Sequence, residues 1–172
     1  MPKKTIDDLK SMIGDSHRTV VDLRVEAGKV AEFARAVRDD DSVHYDQEAA
    51  AERGFDAVPA PLTFTRIGMF PRHHSDELGD ETYRGFDLGL YPEHVIHGEQ
   101  AYEYERPVLV GDVLTGTTTL TDVFRREGSR GGEMTFFKFE TTYTDAGDEL
   151  VLSERFTTIE TDGAIDSEGG DD

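Results

Sequence analysis

The stretch DVLTGTTTLTDVFRREGSRGGEMTFFKFETTYTDAGDELVLSERFTTIET, residues 112–161, decides the fold class. It contains three runs rich in Thr, Val and Phe: Asp112–Arg126, Glu133–Tyr143 and Glu149–Thr161. In the first, Val113, Thr115, Thr117 and Thr119 share one face at the two-residue period of a strand. The links, Glu127–Gly132 and Asp145–Asp148, are too short for a crossover helix, so neighbouring strands run antiparallel. Just upstream, Val95–Pro107 reads as a fourth strand, joined through Val110-Gly111-Asp112.

The N-terminal half is mostly helical. Thr19–Val25 is rich in β-branched residues and reads as a strand. Lys29–Arg38 places Val30, Phe33, Ala34 and Val37 at the spacing of an amphipathic helix. The acids Asp39-Asp40-Asp41 then oppose the helix dipole at its C-terminus, so they leave the helix as a loop. Gln47–Arg53 is a short helix stopped by Gly54. Leu62–Phe70 is apolar enough for a buried helix, with Pro61 at its start and Pro71 past its end. Residues 71–94 lack periodicity and read as a long, partly ordered loop that leaves His73 and His74 exposed. These readings divide the chain into a loosely packed polar segment 1–17, a single domain 18–161 and a disordered acidic tail 162–172. One apolar helix against an antiparallel sheet gives a two-layer α+β domain, whose open edges and uncovered face favour dimerisation.

Composition narrows the function. Thirty-seven acidic residues against 18 basic ones give a net charge of -19, which repels phosphate backbones and anionic membranes. The expectation is therefore no nucleic-acid partner and no membrane. Lysine is scarce, and the acidic excess predicts a high-salt cytosol, as in halophiles and above all haloarchaea. There is no cysteine, and neither a membrane-length apolar run nor a signal-peptide core is present, so a cytoplasmic protein without disulfides is expected.

Candidate chemistry gathers between Val37 and Phe64. Asp39 and His44 lie five positions apart, and His44 suits proton transfer near neutral pH. Alone, that spacing is loose and equally describes a surface histidine among acids. Asp40, Asp41 and Asp46 read as solvated charges or loop caps, and Asp41 as a weak metal ligand beside Asp39 and His44. Pro59 and Pro61 have no N–H, so a backbone donor here must come from Ala60, Leu62 or Thr63.

The residues resemble the MaoC-like dehydratases, a family that includes the R-specific enoyl-CoA hydratases. The family pattern, roughly D-x-N-P-[IL]-H-x-D, is matched by Asp39, His44 and Asp46, followed by Gly54-Phe55. Ala60-Pro61-Leu62-Thr63-Phe64, His97-Gly98-Glu99-Gln100, Arg106-Pro107 and Gly111-Asp112 resemble the N-terminal, FAS1-like dehydratase type more closely. That type occurs in two-domain dehydratases and in heterodimeric mycobacterial hydroxyacyl-ACP dehydratases. The chain departs from the pattern at Asp41 and Ser42, where the motif has Asn and Pro, and at Pro61-Leu62, where it has His-Gly.

The resemblance implies a hot-dog fold, an antiparallel sheet wrapped around a central helix. It also implies reversible hydration of a trans-2-enoyl thioester to the (R)-3-hydroxyacyl thioester, with acyl-CoA as substrate and no cofactor or metal. Asp39 and His44 would be the catalytic dyad and the Leu62 backbone N–H the oxyanion donor. Pro61, Thr63, His97 and Gln100 would contact substrate. Arg125, Arg126 and Arg130 form a hairpin cluster that either meets CoA phosphates or makes surface ion pairs. Homodimers, or heterodimers with a second hot-dog subunit, are expected. Two rivals stand beside this reading: a non-catalytic or half-site subunit of a heteromeric dehydratase, and a hot-dog acyl-CoA thioesterase.

Overall fold

The computed structural model describes residues 2–76, 78–79, 81–128 and 132–163. Five strands, β1 (Ser16–Arg24), β2 (Val95–Tyr104), β3 (Val113–Glu127), β4 (Glu133–Thr144) and β5 (Leu150–Thr161), form one sheet. Its order is β1-β3-β4-β5-β2, and every pairing is antiparallel. The short links of the 112–161 stretch thus do what chain geometry demands, and β1 and β2 are left as edges.

One face of the sheet carries the core. Leu114, Tyr143 and Leu152 pack with Val30 of α2 (Ala27–Ala36), Ala50 of α3 (Gln47–Glu52) and Phe64. Farther along, Leu120, Phe137, Phe139 and Phe156 pack with Phe86, Leu88 and Leu9 of α1 (Ile6–Ser11). Each such side chain contributes about 1.5–3 kcal/mol on burial, so these clusters hold the helices to the sheet. Three buried hydroxyls on this face are paired across strands. Thr118 on β3 meets Thr19 on β1 and Thr141 on β4, both at 2.8 Å.

Several local expectations need correction. Residues 2–17 are not loosely packed: α1 is capped by the Thr5 hydroxyl, Leu9 is fully buried, and Ile6 and Met12 pack partly buried against the same cluster. A few apolar residues scattered among polar ones leave only a weak pattern in the sequence. Residues 71–94 lack long elements but supply Phe86 and Leu88 to the core. His73 is buried rather than exposed, and its Nε2 accepts a hydrogen bond from the Arg72 Nε at 3.0 Å. Burial, reinforced by the Arg72 charge, holds its imidazole below the usual histidine range. The expected helix at 62–70 is a 3-10 turn, Phe64–Met69, that buries only Phe64, Thr65 and Gly68. Gly68 lies where an added Cβ would come within 3.1 Å of Val20, so this turn runs close against β1. Leu62, expected in the core, is 71% exposed, and Met69 and Phe70 are exposed beside it. Most of the predicted tail, 164–172, lies outside the described residues.

Two predictions follow from this packing. At Gly116 on β3, a Cβ would sit 2.9 Å from the Tyr143 ring and 3.1 Å from the Val20 Cβ. Gly116→Ala is expected to cost about 1–3 kcal/mol in chemical denaturation, the usual range for overpacking. Glu160 on β5 is buried, with Oε1 accepting the Tyr91 N–H at 2.8 Å and Oε2 unpaired among the described residues. Burial pushes its carboxyl above the usual value. The folded state then holds the proton more tightly than the unfolded chain does. That contribution is full below the ordinary carboxylate pKa and is lost as pH rises through the raised one. Thermal melts should show wild type losing stability relative to Glu160→Gln from acid to neutral pH; a pH-independent gap would contradict this.

Candidate active site

The site begins at the end of α2. The N–H of Asp39 bonds the Ala34 carbonyl at 2.8 Å, and that of Arg38 bonds the Arg35 carbonyl at 3.1 Å. This is a Schellman stop, and Arg38 takes its left-handed position with φ 59°. The chain reverses there, and Asp39 leaves the helix as the opposed dipole requires. One carboxylate oxygen of Asp39 accepts the Asp41 N–H at 3.2 Å. The other, Oδ2, lies 3.2 Å from His44 Nε2.

The neighbouring acids are structural, as their sequence positions suggested. Asp41 caps the 3-10 turn Ser42–His44 by accepting the Val43 N–H at 3.1 Å, and it pairs with Arg53 at 2.6 Å. The Val43 N–H, followed by the Arg53 guanidinium, holds its carboxyl below the usual range. Asp46 caps α3 through the Ala49 N–H at 2.8 Å, and Gly54, with φ 85°, ends that helix. Asp40 is exposed.

His44 is fixed from its other side. Its Nδ1 lies 2.8 Å from the Pro59 carbonyl oxygen. A carbonyl only accepts, so neutral His44 carries its proton on Nδ1 and presents the Nε2 lone pair to Asp39. Pro59 is itself anchored beside Val108–Val110. The Ala60 N–H bonds the Val108 carbonyl at 2.8 Å, and the Val110 N–H bonds the Val58 carbonyl at 2.9 Å. Asp39, His44, Pro59, Ala60, Leu62 and Tyr104 all line one cavity of about 500 Å³.

These bonds sort the candidate donors. The Ala60 N–H is taken by Val108. Among the described residues, those of Leu62 and Thr63 have no acceptor. The Pro61 carbonyl accepts the Phe64 N–H at 2.9 Å, closing a turn over Leu62 and Thr63. The Leu62 carbonyl accepts the Tyr104 hydroxyl. Because a peptide unit is planar and trans, the Thr63 N–H points away from Tyr104, opposite to that carbonyl. Thr63 does not line the cavity, whereas Leu62 does. Leu62 is therefore the one residue of the three that both lines the cavity and, among the described residues, has an unpaired amide.

The structure does not bring the other candidates to the cavity. Pro61 is buried behind the wall, and Thr63 is exposed with no cap hydrogen bond. His97 is exposed at the far end of β2, opposite Thr158. Gln100 donates to the Tyr102 hydroxyl and to Glu154, which also receives Arg66 and Tyr143. The arginine cluster is remote. Arg125 pairs with Glu133 at 3.2 Å, Arg126 lies over the stacked Phe124 and Phe136 rings, and Arg130 falls outside the described residues. Sequence reasoning missed Tyr104 and the Pro59 carbonyl. Only the alternation of Tyr102 and Tyr104 after Gln100 hinted at the first, and a backbone acceptor leaves no side-chain signal. Among the described residues, no group of three or more His, Asp or Glu side chains is placed to hold a metal ion. No helix among them is long and apolar enough to cross a membrane.

The tautomer gives an activity-independent prediction. In 15N-detected NMR spectra, neutral His44 should show a protonated Nδ1 and a bare Nε2. The reverse pattern would mean that the bond to Pro59 does not form.

Comparison with known proteins adds the following. Residues 11–154 match the family model described as FAS1-like, dehydratase domain region. A UPF0336 protein of Saccharopolyspora erythraea is 30% identical over 162 residues, 94% of this chain and 97% of its own length. A UPF0336 protein of Mycobacterium tuberculosis is 31% identical over 153 residues, 89% of this chain and 86% of its own. Both sources are actinobacterial and lend no support to a haloarchaeal origin. One solved structure, the truncated HadBC (3R-hydroxyacyl-ACP dehydratase) complex of Mycobacterium tuberculosis, aligns with TM-score 0.68 and 28% identity. The alignment covers 86% of this chain and 96% of that one. A MaoC-like dehydratase aligns with TM-score 0.70 and 28% identity over 88% of this chain, which spans only 43% of that protein. The five-stranded antiparallel sheet with its helix is thus the hot-dog fold.

Proposed function

The chain belongs to the FAS1-like dehydratase domain family, and from that premise we propose that it hydrates trans-2-enoyl thioesters reversibly to (R)-3-hydroxyacyl thioesters. Acyl-CoA is the proposed substrate. The observation that carries this reading is the approach of His44 Nε2 and Asp39 Oδ2, 3.2 Å apart on one cavity wall. A water that donates one hydrogen to an unprotonated Nε2 and the other to Oδ2 turns its oxygen lone pair toward the cavity.

The steps follow from those positions. The water oxygen forms a bond to Cβ as His44 Nε2 takes its proton. The C=C electrons move toward the thioester, giving an enolate whose oxygen receives the Leu62 N–H. The dyad returns the proton to Cα, so that H and OH have added across the double bond. Dehydration runs the same steps backwards. Each step draws on protein groups and water alone. The Leu62 N–H makes no other hydrogen bond among the described residues, which supports its role as a donor for developing charge.

We also propose a dimer, with a second copy or with another hot-dog subunit. Exposed Leu62, Met69 and Phe70 and the outer strands β1 and β2 support an association surface. The HadBC complex and the ChsH1-ChsH2 complex of Mycobacterium tuberculosis, the latter similar in fold at TM-score 0.68, are assemblies of two named components. That pairing keeps the half-site subunit as a second reading, although retention of both Asp39 and His44 favours a catalytic chain.

The test is hydration of crotonyl-CoA, assayed in low and high salt, by wild type, Asp39→Asn and His44→Ala. Each variant is expected to lose about 100-fold or more, the range for removing a general acid–base group. Unchanged rates in both would remove the dyad from the mechanism. Activity appearing only with a co-purifying hot-dog chain would favour the half-site reading. Release of free thiol without hydration would indicate a thioesterase.

A further inference from the structure

We infer that Tyr104 is a positioning residue for the turn that carries the oxyanion donor. By donating to the Leu62 carbonyl, its hydroxyl fixes the central Leu62–Thr63 peptide of the Pro61–Phe64 turn, the unit that directly follows the Leu62 N–H. The inference rests on the hydration reading for its kinetic consequence, but not for its geometry.

The turn explains why a lock is needed. Its ends are joined by the Phe64 N–H and the Pro61 carbonyl at 2.9 Å. Its central peptide, between Leu62 and Thr63, is the unit whose rotation distinguishes one turn type from another. Thr63 has φ -106° and ψ 12°, the third-residue geometry of a type I turn. In that state the Leu62 oxygen faces Tyr104. Leu62 and Tyr104 both line the cavity, so an uncapped oxygen there would place a negative dipole end beside the developing enolate. With the Tyr104 hydroxyl on it, the wall presents a satisfied carbonyl and a free Leu62 N–H.

Tyr104 is held in turn. It projects from β2, and its ring stacks on Tyr102 with centroids 6.2 Å apart. The Tyr102 hydroxyl accepts from Gln100, which also donates to Glu154 at 2.6 Å. Glu154 is buried, and it binds Arg66 of the Phe64–Met69 turn at 3.3 Å. The donor segment is therefore tied to the sheet at two points, Leu62 through Tyr104 and Arg66 through Glu154. Burial, then the Glu154 charge, pushes the Tyr104 phenol up to about 12, so the hydroxyl remains a donor at neutral and mildly alkaline pH. This also gives the Gln100 motif residue a place in the site's support, at one remove from the cavity.

The experiment compares Tyr104→Phe with Tyr83→Phe, which removes a hydroxyl bonded to Thr158 outside the cavity and leaves the Leu62 bond intact. For crotonyl-CoA hydration, Tyr104→Phe should lower kcat about tenfold, the scale of one lost hydrogen bond, with KM little changed. Tyr83→Phe should stay near wild type. Amide exchange by NMR supplies an activity-independent readout: the Phe64 N–H should exchange faster in Tyr104→Phe and not in Tyr83→Phe. Equal kcat in wild type and Tyr104→Phe, equal losses in the two variants, or unchanged Phe64 exchange would each overturn the inference. Should wild type itself fail to hydrate the substrate, the reaction reading falls, and the exchange comparison alone decides the lock.

Discussion

The bond between His44 Nδ1 and the Pro59 carbonyl is the contact on which the site depends. It joins two segments that come from different parts of the fold. One is the acid loop that leaves α2; the other is the proline segment bridged to Val108–Val110. Because a carbonyl cannot donate, the bond also sets the tautomer, and so determines that Nε2 is the basic nitrogen facing Asp39. A single backbone oxygen thereby supplies both the position and the protonation pattern of the proposed base. The same proline segment continues into Leu62, so base and donor are referenced to one piece of chain.

Much of the polarity around the dyad holds geometry rather than doing chemistry. Asp41 and Asp46 satisfy N-terminal N–H groups of short turns that could not persist alone. Arg53 neutralises Asp41 at the cavity mouth, and Arg106 braces the adjoining loop through Asp112 and Asp145 at 2.8 and 3.1 Å. Elsewhere the acidic excess is mostly exposed, which suits solubility and contributes little to stability pair by pair. Inside, the sheet tolerates polar groups where they pair across strands, as in the Thr19–Thr118–Thr141 ladder and the contacts around Glu154.

The sheet was legible because its signals are local and redundant. The β3–β5 runs have β-branched faces and short links, which leave antiparallel pairing as the simplest solution. The Asp39–His44 approach was legible through its spacing together with the flanking Ala60–Phe64 and His97–Gln100 motifs. Leu62–Phe70 does not form the helix its apolar content predicts, because apolar content alone does not fix burial. A close approach at Gly68, with β-branched Thr63 and Thr65 nearby, produces a 3-10 turn that leaves Leu62 outside. Tyr104 was missed because its role depends on a contact across 42 residues of chain. The binding roles expected of His97 and Gln100 followed a motif, whereas a β-bulge between them on β2 separates their surroundings.

By itself, the sequence determined the antiparallel sheet and the reversal after α2, and it singled out an acid and a histidine that the fold brings within 3.2 Å. These follow from periodicity, dipole opposition and ionisation chemistry, all of which act over a few residues. The tertiary structure alone decided which histidine nitrogen faces Asp39, which amides are left without an acceptor among the described residues and which tyrosine meets the Leu62 carbonyl. Those outcomes rest on hydrogen bonds between segments distant in sequence. The planarity of a peptide and the one-way character of a carbonyl acceptor decide them once the segments have met.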